Sequence, residues 1–309
     1  MRTAGPSTLP RSAAVACLLG AAFLWSLGGL LIKWISWDAL AIAGARSLIA
    51  IPVILLYLGR PRFTWSSAQL GGAVAYAATV ICFVLANKLT TAANAILLQY
   101  TAPLHVALLG GLLLGEWPKP VAWLALAGAM VGMLLFFMDG LDAGGLYGNL
   151  LALASGLSFA SLIVTLRMQK DGSPIESVLL GNIITAVVCA PFVLSSAPPR
   201  EGWVALAILG VFQLGVAYIL YSAAIRRVTA LEGVLVPVIE PLLNPLWVFL
   251  VLGEKPGPWA FAGGAVVLIS VTLYSALYAG SNGTGDGLQA SSVPASIALR
   301  TRSRNSEGS

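Results

Sequence analysis

Charge is what this sequence has least of. Only 9% of its 309 residues are charged, against roughly 25% in an ordinary soluble domain. So few charges cannot cover a soluble surface, and with 58% hydrophobic residues the solvent to expect is lipid. Histidine is nearly missing: His105 stands alone, too little for a metal site or a catalytic triad without partners. No H-E-x-x-H, no G-x-S-x-G elbow and no Walker-type G-x-x-x-x-G-K-[ST] loop occurs. An intramembrane enzyme is thereby disfavoured, and a nucleotide-driven pump within this one chain is excluded. Cysteine is scarce too. Cys17, Cys82 and Cys189 each sit in an apolar stretch without metal-ligand spacing, so they read as packing residues and not as a disulfide framework. The net charge of +5 is spread between apolar runs, whereas nucleic-acid binders cluster theirs on one polar face. No nucleic-acid partner, cofactor or metal is expected.

What the sequence has is long apolar runs, punctuated by charges at nearly regular intervals. Ten spans are expected, at residues 12–33, 38–58, 66–87, 92–114, 120–138, 145–166, 175–195, 202–225, 232–252 and 257–279. Most are about 20 residues or longer, enough at 1.5 Å per residue to cross ~30 Å of hydrocarbon. The first uncharged run, Ser12 to Ile32, is long enough to be a retained span and not a cleaved signal. The fold class to expect is all-α integral membrane, with connectors too short for an inserted soluble domain. Residues 1–11 form a cytoplasmic N-terminus, and residues 280–309, rich in Gly, Ser, Thr and Asn, a disordered cytoplasmic tail.

Orientation follows from Lys and Arg. With the N-terminus in the cytoplasm, the cytoplasmic segments hold Arg2, Arg11, Arg60, Arg62, Lys119, Arg167, Lys170, Arg226, Arg227, Arg300, Arg302 and Arg304. The opposite side holds only Lys33, Lys88, Arg200 and Lys255, and Arg46 lies inside a span. Both termini are then cytoplasmic, in a multi-pass membrane protein.

Two segments resemble each other at an offset of 138 residues, Asn94 to Pro118 and Glu232 to Pro256. They match at Pro103/Pro241, Gly115/Gly253, Glu116/Glu254 and Pro118/Pro256, and the preceding Lys88/Arg226, Thr91/Thr229 and Ala92/Ala230 fit the same shift. The offset covers five spans. Five is odd, so the second copy must cross the membrane upside down, with residues 12–138 as the first repeat and 139–279 as the second, inverted one. Inverted repeats suit alternating access, because two halves related by an in-plane two-fold axis can exchange conformations.

With Trp25-Ser26, Arg46, Lys88 to Ala92, Pro103 with Gly115-Glu116, and Glu240-Pro241 with Gly253-Glu254, the chain resembles the drug/metabolite transporter superfamily. The resemblance is to the EamA type with two five-span domains, and within it to the YddG-type amino-acid exporters. It implies export of amino acids or other metabolites from bacteria, across the inner (plasma) membrane.

Several residues could carry that chemistry. Glu240, near the middle of span nine, is costly in lipid unless it meets water or a partner; it reads as a substrate-ammonium contact, a protonation site or a structural hydrogen bond. Arg46 could clamp a substrate carboxylate, pair with Glu240, or hold backbone carbonyls. Pro237, Pro241 and Pro245 should kink or open span nine, and Pro103 span four, each freeing a carbonyl four residues earlier. Those carbonyls serve a ligand only where they line a cavity. On span four, Asn94, Thr101 and His105 share a stripe, within about 20° of one another at 100° per residue, with Gln99 and Tyr100 on other faces. Tyr76, Phe83 and Asn87 share a face of span three; Tyr218, Tyr221, Ser222 and Ile225 share one of span eight. These aromatics, with Trp25, Asn244 and Trp247, are candidates to line a cavity between spans one, three, four, six, eight and nine, or to pack helices. Trp34, Trp37, Trp65, Trp117, Trp203 and Trp259 read as interface anchors. The pairs Gly111/Gly115, Gly128/Gly132 and Gly144/Gly148 read as close-packing contacts.

The function to expect is a secondary transporter that exports small organic metabolites by alternating access, aromatic or hydrophobic amino acids first. Other metabolites or cationic drugs are the alternative, and a channel or intramembrane enzyme is disfavoured. The partners to expect are a small-molecule substrate and the bilayer, with a monomer as the working assumption.

Overall fold

A computed structural model of the chain describes residues 9–136, 138, 145–252 and 258–283. Within these residues the chain is helical, without strands. The apolar runs appear as ten helical units, labelled here α1 (Arg11–Trp25 and Leu27–Trp34), α2 (Ala39–Leu58), α3 (Ser67–Leu89), α4 (Ala92–Gln99 and Ala102–Leu114), α5 (Pro120–Phe136), α6 (Leu146–Met168), α7 (Pro174–Ser195), α8 (Gly202–Ile208, a π-helical stretch Leu209–Val216, and Ala217–Ala224), α9 (Ala230–Leu235, a 3₁₀ turn Val236–Val238, and Ile239–Leu252) and α10 (Pro258–Gly283). Among the described residues, seven stretches are long and apolar enough to cross a bilayer, and Pro120–Phe136 and Phe261–Tyr274 are shorter apolar helices.

The helix ends follow local chemistry. Asp38, Ser66, Thr91 and Thr229 each accept a backbone N–H three residues on, opening α2, α3, α4 and α9; a cap of this kind satisfies a donor the helix cannot. α3 and α6 run two residues past the expected ends, taking Lys88 and Arg167 into their last turns. Long basic side chains bury their stems and carry their charge to the boundary, so a charge does not end a helix. The tail expected from residue 280 is also corrected at its start, because α10 continues to Gly283. The rest of that tail, Gly253-Glu254, Lys255 and Pro256, and the Asp139–Asp142 connector lie outside the described residues.

The packing has a regular plan. α2 packs on α7, α4 on α9 and α5 on α10; α1 packs on α8 and α9, and α3 on α6 and α7. α6 also contacts α4, and α8 contacts α2. Exchanging each of the first five helices with the helix five further on maps this set of contacts onto itself. Small residues permit the closest approaches. A Cβ on Gly44 would lie 2.7 Å from the Cβ of Cys189, and one on Gly132 would lie 2.7 Å from Val267. Gly128/Gly132 is thus a packing pair between α5 and α10. Gly111/Gly115 is not: Gly111 lies under the Trp117 ring, and Gly115 adopts φ 70° to end α4. Gly148 packs on Leu89 and Thr90, and Gly144 lies outside the described residues.

That turn at Gly115 has a consequence. It throws Glu116 out of the helix, where its carboxylate reaches across to the other half of the chain. One oxygen accepts from Arg167 Nε at 2.9 Å and the other from the backbone N–H of Ala230, also at 2.9 Å, at the start of α9. Arg167 further donates to the carbonyls of Ile225 and Arg226. At the opposite end of the bundle Lys33 and Lys88 donate to the carbonyls of Thr90 and Ile35. Trp34, Trp65, Trp117, Trp203 and Trp259 are exposed, while Trp37 donates to Ser196 Oγ.

Candidate functional site

Where the two sets of helices meet, a small cavity is lined by Trp25, Arg46, Thr79, Val80, Phe83, Gln99, Phe159, Gln213, Leu214, Tyr218 and Glu240. Its volume is about 40 Å³, close to the space of one water and far below the ~300–1,000 Å³ of ordinary ligand pockets. Six of the residues expected to line a site meet here: Trp25, Arg46, Phe83, Gln99, Tyr218 and Glu240. α2 joins the expected helices through Arg46.

Arg46 is fully enclosed, with 1% of its surface accessible. It makes only long contacts, donating from Nη1 to Gln213 Oε1 at 3.2 Å and from Nη2 to the carbonyl of Val80 at 3.4 Å. Its Nε has no acceptor, and neither has the indole N–H of Trp25 beside it. No ion pair joins Arg46 to Glu240 among the described residues. A buried guanidinium with unmet donors is expensive, and an acceptor entering the cavity would lower that cost. Glu240 stands across the cavity and accepts from Tyr100 Oη at 2.7 Å.

Aromatic rings form the wall. The Trp25 ring lies 5.7 Å from Phe159 and 5.1 Å from both Tyr218 and Tyr221, and Tyr76 lies edge-on to Tyr218 at 4.8 Å. Tyr76 is fixed by donating to Asn182 Oδ1. The remaining tyrosines answer the prolines. Pro237 has no N–H for the carbonyl of Gly233, and Pro241 none for that of Pro237. Tyr221 Oη donates to the first of these carbonyls at 3.0 Å, and Tyr100 Oη, sharing its one proton with Glu240, lies 3.2 Å from the second. Two of the three carbonyls freed in α9 therefore face tyrosine hydroxyls and are not left for a ligand; the third, that of Pro241, is freed by Pro245. In α4 the carbonyl freed by Pro103, that of Gln99, lies against Gly156, where an added Cβ would sit 2.7 Å from it.

Other expected site residues stand apart. The helix breaks at Tyr100 and Thr101, so a single 100° progression does not run through Asn94, Thr101 and His105. Asn94 donates to Asn149 Oδ1 on α6 and to Thr90 Oγ1, and Thr101 packs on Gly156; both face α6, not the cavity. His105 does not line it, and its Nδ1 is buried without a partner. Trp247 packs edge-on to Phe23 and donates to Ser26 Oγ at 2.8 Å, at the break in α1. The side chains of Asn244 and Pro245 lie outside the described residues.

The residues not foreseen are Thr79, Val80, Phe159, Gln213 and Leu214. Gln213 had a readable signal, as the lone amide in an otherwise apolar span. It sits in the π-helical stretch of α8, a distortion that often marks functional sites.

Comparison with known proteins follows the same lines. The model of the EamA-like transporter family matches the chain twice, over residues 12–138 and 146–276. An "Uncharacterized transporter" of Archaeoglobus fulgidus is 27% identical over 264 residues, 84% of this chain and 94% of that protein. "Uncharacterized protein PA1977" of Pseudomonas aeruginosa is 29% identical over 253 residues, 78% of this chain and 86% of that one. The "Uncharacterized transporter YwfM" of Bacillus subtilis is 24% identical over 273 residues, covering 84% and 92%. A solved crystal structure superposes with a TM-score of 0.74 at 21% identity, over 87% of this chain and 98% of that one, a likeness of fold. The family and the transporter-named relatives point to transport and away from catalysis. The chain belongs to the EamA-like transporter family and is a multi-pass membrane protein.

Proposed function

We propose that the chain is a secondary carrier that moves small zwitterionic metabolites, aromatic or hydrophobic amino acids foremost, outward across the inner membrane by alternating access. Ten spans form two five-helix repeats of opposite orientation, and the substrate occupies the cavity at their junction. One observation carries this reading: a buried arginine with unmet donors and a carboxylate face one water-sized space walled by aromatic rings. A substrate carboxylate would satisfy Arg46 Nε and the Trp25 indole, an ammonium group would meet Glu240, and an apolar side chain would stack on Tyr218 and Phe159. At about 40 Å³ the space must widen to admit a whole amino acid, which alternating access between two open states would provide. Other metabolites and cationic drugs remain the competing substrates, and the Arg46 donors favour a ligand with a carboxylate over a bare cation.

Counterflow in liposomes containing only this protein tests the reading. Preloaded aromatic amino acid should accelerate uptake of labelled substrate with saturation. Arg46→Gln should reduce exchange of carboxylate-bearing substrates by about a hundredfold, the loss expected when a buried charge-assisted contact is removed. Uptake without saturation or counterflow would contradict a carrier.

A further inference from the structure

A second cavity, of about 480 Å³, opens at the end of the bundle where α2 and α8 finish and α7 begins. It shares no lining residue with the central one. On α8, at 100° per residue, the lining positions Ile219 and Ala223 stand about 100° and 140° from Tyr218, which faces the central cavity, and Ser222 about 40° from it. This pocket is therefore peripheral and lies off the path between the repeats.

Its lining has two characters. One wall carries Arg226, Arg227 and Ser222, together with the first residues of α7. Arg226 donates from Nε to the carbonyl of Lys170, and neither arginine pairs with a carboxylate among the described residues. The start of α7 adds little to this, because Glu176 already places a carboxylate in its first turn. Independently, Ser222 is 3% exposed and its hydroxyl has no partner, so a buried donor waits at the pocket wall. The other wall is apolar, formed by Leu58 and Ile219 beside the exposed ring of Tyr57. An anion-binding wall facing an apolar one fits an amphiphile.

We infer that this pocket binds the phosphate of an anionic phospholipid headgroup, with Arg226 and Arg227 on the phosphate oxygens and Ser222 donating a further hydrogen bond. The distribution of Lys and Arg puts the site in the cytoplasmic leaflet. This inference does not depend on the transported substrate.

Native mass spectrometry of the full chain, equilibrated with equimolar phosphatidylglycerol and phosphatidylcholine, tests it. The chain should retain phosphatidylglycerol preferentially. Arg226→Gln with Arg227→Gln should weaken retention by about tenfold or more, as expected when two arginines no longer attract an anionic surface. Arg227→Gln alone, at an exposed position, and Ser222→Ala should each weaken it by about threefold. Arg60→Gln, at the end of α2, should change nothing, and inorganic phosphate should not displace the lipid. Undiminished selectivity in the arginine variants would overturn the site. So would an equal loss in Arg60→Gln, which would mean diffuse charge attraction, or displacement by inorganic phosphate, which would mean a free-anion site.

Discussion

α4 and α9 begin alike and then diverge. Each opens on a threonine cap, Thr91 or Thr229, 138 residues apart, and each loses regular helical geometry within three turns, at Tyr100 and Thr101 in α4 and at Val236–Val238 in α9. α4 resumes as an ordinary helix after Tyr100 and Thr101. α9 passes through a 3₁₀ turn around Pro237, then Pro241, and carries Glu240 where α4 has Ala102. The shared break makes room for a cavity at the junction, while the carboxylate is supplied by one side only. The site is thus asymmetric within a nearly symmetric packing plan.

This contrast can be broken most severely at its ionisable member. Glu240→Gln should lower amino-acid exchange by about a hundredfold, whereas Ala102→Ser, at the equivalent position of α4, should change it by less than about threefold. Parallel counterflow assays check both. Next is the cross-connection between the halves: Glu116→Ala removes an ion pair and the acceptor for the first N–H of α9, and should destabilise the detergent-solubilised protein by about 2 kcal/mol. Tyr221→Phe leaves the carbonyl of Gly233 unanswered and should cost about 1–2 kcal/mol. Smaller still are the caps. Thr91→Ala and Thr229→Ala should each cost about 1 kcal/mol, the second somewhat more because Glu232 completes a capping box there. Thermal unfolding in one detergent ranks these four changes.

Much of this was legible in the sequence, for definite reasons. Apolar runs and their charge punctuation report the solvent directly, so helices emerge wherever a run is long enough. Pro103, Gly115-Glu116 and Thr91 recur at one offset because backbone breaks and caps demand particular residue types. Arg46 and Glu240 stood out because a charge inside a span needs a reason. What was hidden depends on distant partners. Nothing near Pro237 in the chain announces that Tyr221 will take the carbonyl of Gly233, or that Tyr100 will take that of Pro237. The Asn94–Thr101–His105 stripe misled because helical periodicity was carried across a break. Phe159 stays hidden because an apolar ring looks ordinary in a span until its neighbours are known, whereas Gln213 carries a signal as the lone amide of its span.

The inverted arrangement itself rests on sidedness, and Leu89 and Arg227, which are 138 residues apart and both exposed, report it. In a chain with Cys17, Cys82 and Cys189 replaced, Leu89→Cys and Arg227→Cys would be treated separately in intact cells with a maleimide that cannot cross the membrane. Labelling at position 89 from outside, with position 227 labelled only after permeabilisation, is the predicted result. Both positions labelled from the same side would contradict it.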